Sequence, residues 1–201
     1  MDEQESFKIV LLGESGVGKT SIISQFMNHS FNPSVQSSIN CQFVTKALEF
    51  PEFNKTLKFN IWDTVGQERY RSLAKMFYKN ANAIVLVYDI TSPSSFNAIK
   101  KFWYSETKNN ADNDPIYVLV ANKIDLLENE RISNKEGENY AKEIKAIFVK
   151  TSAFLGSDIN IIFEKIGKRI IKAENEIKKR KQDLNSINLK KSVIKHKKGC
   201  C

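Results

Sequence analysis

The sequence predicts an α/β fold: a six-stranded, mostly parallel sheet with one antiparallel edge strand and helices on both faces. Three observations lead there. Apolar runs of strand length recur along the chain, helical patterns lie between them, and one pair of runs is joined by a link too short to hold a helix. A run that is apolar throughout must be covered on both faces, as strands of a parallel sheet are, and the intervening helices supply the crossovers.

Taken in order, FKIVLLG from residue 7 is the first strand, and residues 20–27 carry the first helical pattern. CQFVTKALEF (41–50) and TLKFNIW (56–62) follow, separated only by PEFNK, so they pair as an antiparallel hairpin at the sheet edge. Helical patterns at 68–80, 93–110 and 134–144 then alternate with AIVLVYD from 83, IYVLVAN from 116 and AIFVKTS from 146. After the last strand, Ile159, Ile162, Phe163, Ile166 and Ile170 recur at helical spacing. From Lys172 the pattern frays into KKRKQ, NSIN, LKKS and KHKKGCC, with too few apolar groups at any regular period to offset the cost of ordering the backbone. The expected organisation is therefore a folded domain over 1–171 and a disordered basic tail over 172–201. The competing reading of the tail is an amphipathic continuation of the last helix through Ile177, Leu184 and Ile187.

With 41% hydrophobic residues the chain can build a real core. Its net charge of +8 is unevenly placed: residues 1–171 carry 21 basic and 20 acidic groups, residues 172–201 carry 10 and 3. A nearly neutral body speaks against a nucleic-acid partner and assigns the basicity to the tail. No apolar run reaches the roughly 18 residues of a membrane-spanning helix, and acidic residues rather than a leader pattern follow Met1, so a cytosolic chain is expected. Cys41 stands alone and Cys200 and Cys201 are adjacent, which is no disulfide framework.

The chemistry lies in the loops after the strands. GESGVGKT (13–20) matches G-x-x-x-x-G-K-[ST] between a strand and a helix. Backbone N–H groups of Gly13, Glu14, Ser15, Gly16, Val17 and Gly18 can curl around phosphate oxygens. Lys19 reaches the outer phosphates, Thr20 can ligate Mg²⁺, and Ser21 stands beside it at the helix start. The bland alternative is a glycine turn with an incidental lysine. NKID supplies Asn122, Lys123 and Asp125 at the end of a parallel strand. A carboxylate such as Asp125 accepts two hydrogen bonds from the N1–H and amine of guanine, whereas adenine offers an acceptor at N1. A site built that way discriminates by roughly 10⁴-fold, although the four residues alone could be an ordinary turn. In WDTVGQE (62–68), Asp63 suits a carboxylate that holds Mg²⁺ through water, Gly66 an N–H donor to the γ-phosphate, and Gln67 a group that orients attacking water. Here the alternative is a capped turn in which Asp63 or Thr64 bonds local N–H groups.

GESGVGKT, WDTVGQE, NKID and TSA (151–153), in this order and spacing, resemble the Ras-like small GTPases. INCQF, KFNIW, RYRSLA, FYKNA, LVYDIT and the terminal Cys200-Cys201 are similar to the Rab branch, and GESGVGKT and RYRSLA lean towards its endosomal members. The resemblance covers about residues 6–171 plus the last two. It implies a P-loop NTPase fold, the Ras-like G domain, binding GTP or GDP with Mg²⁺ held by Thr20, Ser38 and Asp63. Gln67 and Lys19 are the implied catalytic residues. Phe31 would pack against the base, and Ser152, Ala153 and Phe154 would complete its pocket. Ile39, Phe43, Trp62 and Phe77 would meet effectors, although core packing is the competing reading for the strand aromatics.

The resemblance also implies partners: an exchange factor, a GTPase-activating protein supplying an arginine, a prenyl-dependent dissociation inhibitor, and effectors of vesicle trafficking. A monomeric, lipid-anchored switch on the cytoplasmic face of an endomembrane is expected. Cys200 and Cys201 look like a double geranylgeranyl acceptor, two chains being what durable anchoring needs, and each tail lysine adds about 1 kcal/mol at an anionic leaflet. A metal clip of His196, Cys200 and Cys201 would lack a fourth ligand. None of the five arginines lies in residues 26–45, so slow intrinsic hydrolysis is expected, accelerated by roughly 10³ to 10⁵ by a partner's arginine.

Four positions depart from the family pattern: Ser38 stands for threonine, Asn40 for glycine, Val65 for alanine, and Phe154 for a lysine whose polar contact near the base is lost. A hydrolysis-deficient GTP-binding recruitment module is the alternative that Val65, Ser38 and Phe154 raise. A P-loop metabolic kinase would need lid arginines and leaves NKID unexplained.

Overall fold

The computed structural model describes residues 6–31, 42–64 and 74–196. Six strands form one sheet in the order β2-β3-β1-β4-β5-β6. They are β1 (Ser6–Leu12), β2 (Gln42–Phe50), β3 (Lys55–Asp63), β4 (Ala83–Asp89), β5 (Ile116–Asn122) and β6 (Ile147–Thr151). β2 and β3 pair antiparallel and every other neighbouring pair is parallel. PEFNK makes the hairpin corner through a short 3₁₀ turn at Pro51–Phe53, and Asn54 closes it in the left-handed region at φ 49°. The predicted α/β fold is the observed one.

Period-2 alternation explains why both faces bury apolar side chains. Val10, Leu12, Ile84, Leu86, Leu119 and Ala121 join Phe96, Trp103 and Tyr140 in one buried cluster, while Ile9, Leu11, Val85, Val87, Val118 and Val120 alternate with them. On the latter side Phe26 of α1 (Lys19–Asn28) stacks on Phe163 at 3.7 Å between ring centres. The predicted helix over 68–80 is described only as α2 (Ala74–Tyr78). The predicted 93–110 helix is real but not uniform: α3 (Pro93–Ala98) and α4 (Tyr104–Asn110) are joined by a π-helical turn, Ile99–Trp103. α5 (Asn134–Glu143) begins at Ser133, whose hydroxyl accepts from the Glu136 N–H.

The chain divides into two units, 1–166 and 167–201. In the first, Ile159, Ile162, Phe163 and Ile166 at the start of α6 (Ile159–His196) are buried. The second is helical as far as His196, so disorder expected from Lys172 is replaced by helix over 172–196. No glycine or proline occurs between Gly167 and Gly199. Lys, Glu, Arg and Gln are good helix formers, and Glu174 to Lys178 and Glu176 to Arg180 stand at the favourable i,i+4 spacing. Pattern alone undervalued that local term. Cys200 and Cys201 lie outside the described residues.

Candidate functional site

Because β1, β3, β4, β5 and β6 run parallel, their C-terminal ends Leu12, Asp63, Asp89, Asn122 and Thr151 share one edge of the sheet. Ligands of open α/β sheets bind at that edge. The loop 13–18 turns there, and two of its glycines are dictated by close approach. A Cβ on Gly13 would lie 2.2 Å from the Val87 carbonyl oxygen, and one on Gly18 2.3 Å from the Asn122 amide nitrogen. Both have positive φ, 148° and 99°, which glycine tolerates and other residues resist.

The buried Lys19 ammonium donates to the carbonyls of Gly13 at 2.8 Å and Glu14 at 2.9 Å, curling the loop around its own lysine. Burial pulls its pKa down from 10.5 to about 8, opposed by the carboxylates of Asp63 and Glu14. Thr20 Oγ1 donates to Asp63 Oδ2 at 2.6 Å. These are two hard oxygens on neighbouring elements, a hydroxyl and a fully buried carboxylate. Among the described residues no group of three His, Cys, Asp or Glu side chains could cage a metal. A cation that takes one or two protein oxygens and completes its shell with phosphate and water, as Mg²⁺ does, fits this donor set. Thr64 is drawn inward, its hydroxyl donating to the Leu11 carbonyl at 2.6 Å.

Asn122 ties three segments together. Its amide donates to the Val17 carbonyl at 2.8 Å, and its oxygen accepts from Thr151 Oγ1 at 3.1 Å and the Ala153 N–H at 3.2 Å. Asp125 Oδ1 accepts from the Ser152 hydroxyl at 2.5 Å, and that hydroxyl accepts from the Leu155 N–H at 3.0 Å. Lys123, in the left-handed region at φ 68°, extends to Asp89 at 2.7 Å. Asp89 is itself held by the backbone and hydroxyl of Thr91 at 2.8 and 2.7 Å.

A cavity of about 290 Å³ joins Gly16, Gly18, Ser21, Phe31, Asn122, Lys123, Asp125, Leu126, Ala153 and Phe154. Phe31 and Phe154 meet edge to face in its wall, 5.3 Å between ring centres. Phe154, 59% exposed, stands in the wall where it was expected to complete the pocket, and it offers an aromatic surface in place of the lysine's polar contact. The cavity combines a carboxylate, an ammonium and two rings, which suits a flat heterocycle with N–H donors, and Gly16 and Gly18 of the loop 13–18 are part of its lining.

A second surface feature runs across β2 and β3. Phe43 is 51% exposed, and its ring lies 5.0 Å from that of half-buried Trp62, which is 6.4 Å from that of Phe77. The Lys8 ammonium sits 5.2 Å from the Trp62 ring centre. Interior filling therefore does not describe Phe43.

Sequence reasoning missed Leu126, Thr151, Asp89 and the second partner of Glu14. Its carboxylate accepts from the Trp103 indole at 2.9 Å. LVYDIT carried the signal for Asp89, a carboxylate at the end of a buried strand. Ser38, Ile39, Asn40, Val65, Gly66 and Gln67 lie outside the described residues.

A family profile described as the Ras family matches residues 8–172. The Ras-related protein Rab-22A of Homo sapiens is 35% identical over 194 residues, 96% of this chain and 97% of that protein. The Ras-related protein RabC of Dictyostelium discoideum is 32% identical over 201 residues, the full length of both. Rab-22A of Canis lupus familiaris is 38% identical over 167 residues, 83% of this chain and 84% of the relative.

Proposed function

Since this chain belongs to the Ras family of small GTPases, in its Rab branch, we propose that it is a lipid-anchored switch that recruits trafficking effectors when loaded with GTP. It is a GTPase, hydrolysing GTP to GDP and phosphate. One observation carries the rest of the reading: the phosphate loop, the Thr20–Asp63 pair and the Asp125–Ser152 pair surround one edge of the sheet.

The residues divide the work by chemistry. Asp125, held by Ser152, accepts the N1–H and amine of guanine, and the Ala153 N–H, already bonded to Asn122, faces the same pocket. Phe31 and Phe154 wall the base, and Lys123, steadied by Asp89, lies along the cavity. Lys19 has two N–H groups on loop carbonyls and a third to give to a phosphate oxygen. Thr20 and Asp63, with Ser38, would hold Mg²⁺, which supplies neutralisation of charge on the β- and γ-phosphate oxygens. Gln67 orients the attacking water, and Gly66 gives its N–H to the γ-phosphate.

That none of the five arginines lies in residues 26–45 supports slow intrinsic turnover and an activating partner that brings one. Phe43, Trp62 and Phe77, aromatic and partly exposed side by side, form the effector surface together with Ile39. An exchange factor and a prenyl-dependent dissociation inhibitor complete the cycle. Geranylgeranylation of Cys200 and Cys201 and the basic tail attach a monomer to the cytoplasmic face of an endomembrane, the endosome by the lean of GESGVGKT and RYRSLA. No described helix is long and apolar enough to cross a membrane.

Competition binding tests the reading. GTP and GDP should displace a fluorescent guanine nucleotide with ATP roughly 10⁴-fold weaker, and Asp125→Asn should shift preference towards xanthosine nucleotides. Equal affinity for ATP would defeat it. The hydrolysis-deficient alternative rests on Val65 and Ser38, since Phe154 stands at the base. Turnover with an activating protein that rises sharply in Val65→Ala would favour it.

A further inference from the structure

A carboxylate in a phosphate-binding loop is an electrostatic oddity, because it repels the ligand that the loop collects. Glu14 sits immediately after Gly13, its carbonyl accepts from Lys19, and its carboxylate is close enough to influence the lysine's titration. Its carboxylate accepts a hydrogen bond from the indole N–H of Trp103, 89 residues away, at 2.9 Å. Trp103 is only 1% exposed, and its carbonyl receives the hydroxyl of buried Thr107 at 2.9 Å. The tryptophan closes the π-helical turn Ile99–Trp103. π-helical turns cluster at functional sites, and one residue of helical register turns a side chain by about 100° about the axis. The ring that reaches the loop thus depends on the irregular turn between α3 and α4.

We infer that Trp103 is a positioning residue of the phosphate loop, its indole N–H holding the Glu14 carboxylate away from the cradle so that the loop can accept a polyphosphate. The inference rests on the guanine-nucleotide reading and goes beyond it: the segment 93–110, which contributes nothing to the cavity lining, sets how well the loop holds phosphate. Each phosphate adds negative charge near the carboxylate, so the effect grows from GDP to GTP.

The test is the release of N-methylanthraniloyl-GDP and of the same label on a non-hydrolysable GTP analogue, from the wild-type chain and from Trp103→Phe, Glu14→Gln and the double variant. Losing a hydrogen bond to a charged, half-buried group should speed release of the triphosphate by roughly tenfold in Trp103→Phe, with a smaller change for the diphosphate. In the Glu14→Gln background the same substitution should change release by no more than about twofold, since no charge is set free. If the smaller ring prevents folding, Trp103→benzothienylalanine keeps the shape and removes only the N–H, and the same outcomes apply. Wild-type retention with unchanged release from the Trp103 variant overturns the inference alone, as does an equal loss in both backgrounds, which would mean packing. A wild-type chain that holds neither nucleotide overturns the guanine-nucleotide reading and this inference with it.

Discussion

Nucleotide binding by the nucleotide-free protein should take up a proton above pH 8, and Lys19 is the reason. Burial lowers its pKa from 10.5 to about 8 in the folded chain. Near pH 9 about nine-tenths of the population is therefore neutral, and near pH 7 about one-tenth. A bound polyphosphate places negative charge at the third N–H and favours the ammonium, so its pKa rises again on binding. Uptake should approach one proton near pH 9 and about one-tenth near pH 7, and affinity should fall by up to tenfold per pH unit between about 8 and 10.5.

The same group works against folding of the nucleotide-free chain. The cost, about 3 kcal/mol, is fully present below the folded pKa of about 8. It is relieved as pH rises towards 10.5, because the folded form releases its proton first. Calorimetry of GDP binding at the two pH values, each in two buffers of different ionisation enthalpy, measures the uptake. Guanosine, without phosphates, serves as the control. Equal uptake at both pH values, or the same uptake with guanosine, would refute the assignment to Lys19.

Gly18→Ala should destabilise the fold by about 2 kcal/mol or more, since the methyl would meet the Asn122 amide at 2.3 Å on a backbone with φ 99°; an unchanged thermal midpoint would contradict this. Ser152→Ala removes the donor to Asp125 and the acceptor for Leu155 N–H, and should weaken GDP binding about tenfold in equilibrium titrations. Phe43→Ala should cost less than about 1 kcal/mol in urea unfolding, because the ring is already 51% exposed, yet abolish GTP-dependent partner capture; Phe59→Ala, at 0% exposure, should cost about 3 to 5 kcal/mol. Replacing both Cys200 and Cys201 by serine should move the protein from the membrane to the soluble fraction of native cells, and terminal cysteines found unmodified on membranes would sink the lipid anchor.

Much of the fold was legible because its signals are short-range. FKIVLLG, AIVLVYD and IYVLVAN declare strands covered on both faces, and PEFNK is too short for anything but a hairpin. The tail shows the opposite case. Its helix to His196 follows the competing reading through Ile177, Leu184 and Ile187, and rests on backbone propensity in a charged stretch, which sparse apolar spacing signals only weakly. Phe43 could not be placed from the pattern of its strand. Exposure there depends on β2 being the outermost strand, with Trp62 beside its ring and Phe77 beyond Trp62.

By itself the sequence determined the sheet and located the loops GESGVGKT and NKID at the ends of its strands. Each is a local backbone requirement: glycines where a side chain would collide, a lysine and a hydroxyl at the helix start, and a carboxylate just past a strand. Only the tertiary structure decided how these pieces are held. Asn122 reaches Val17 across 105 residues, Trp103 reaches Glu14 across 89, and Lys123 meets Asp89 from the neighbouring strand end. Hydrogen bonds of that kind depend on where parallel strands and an irregular helical turn bring side chains in space, and sequence spacing carries no record of it.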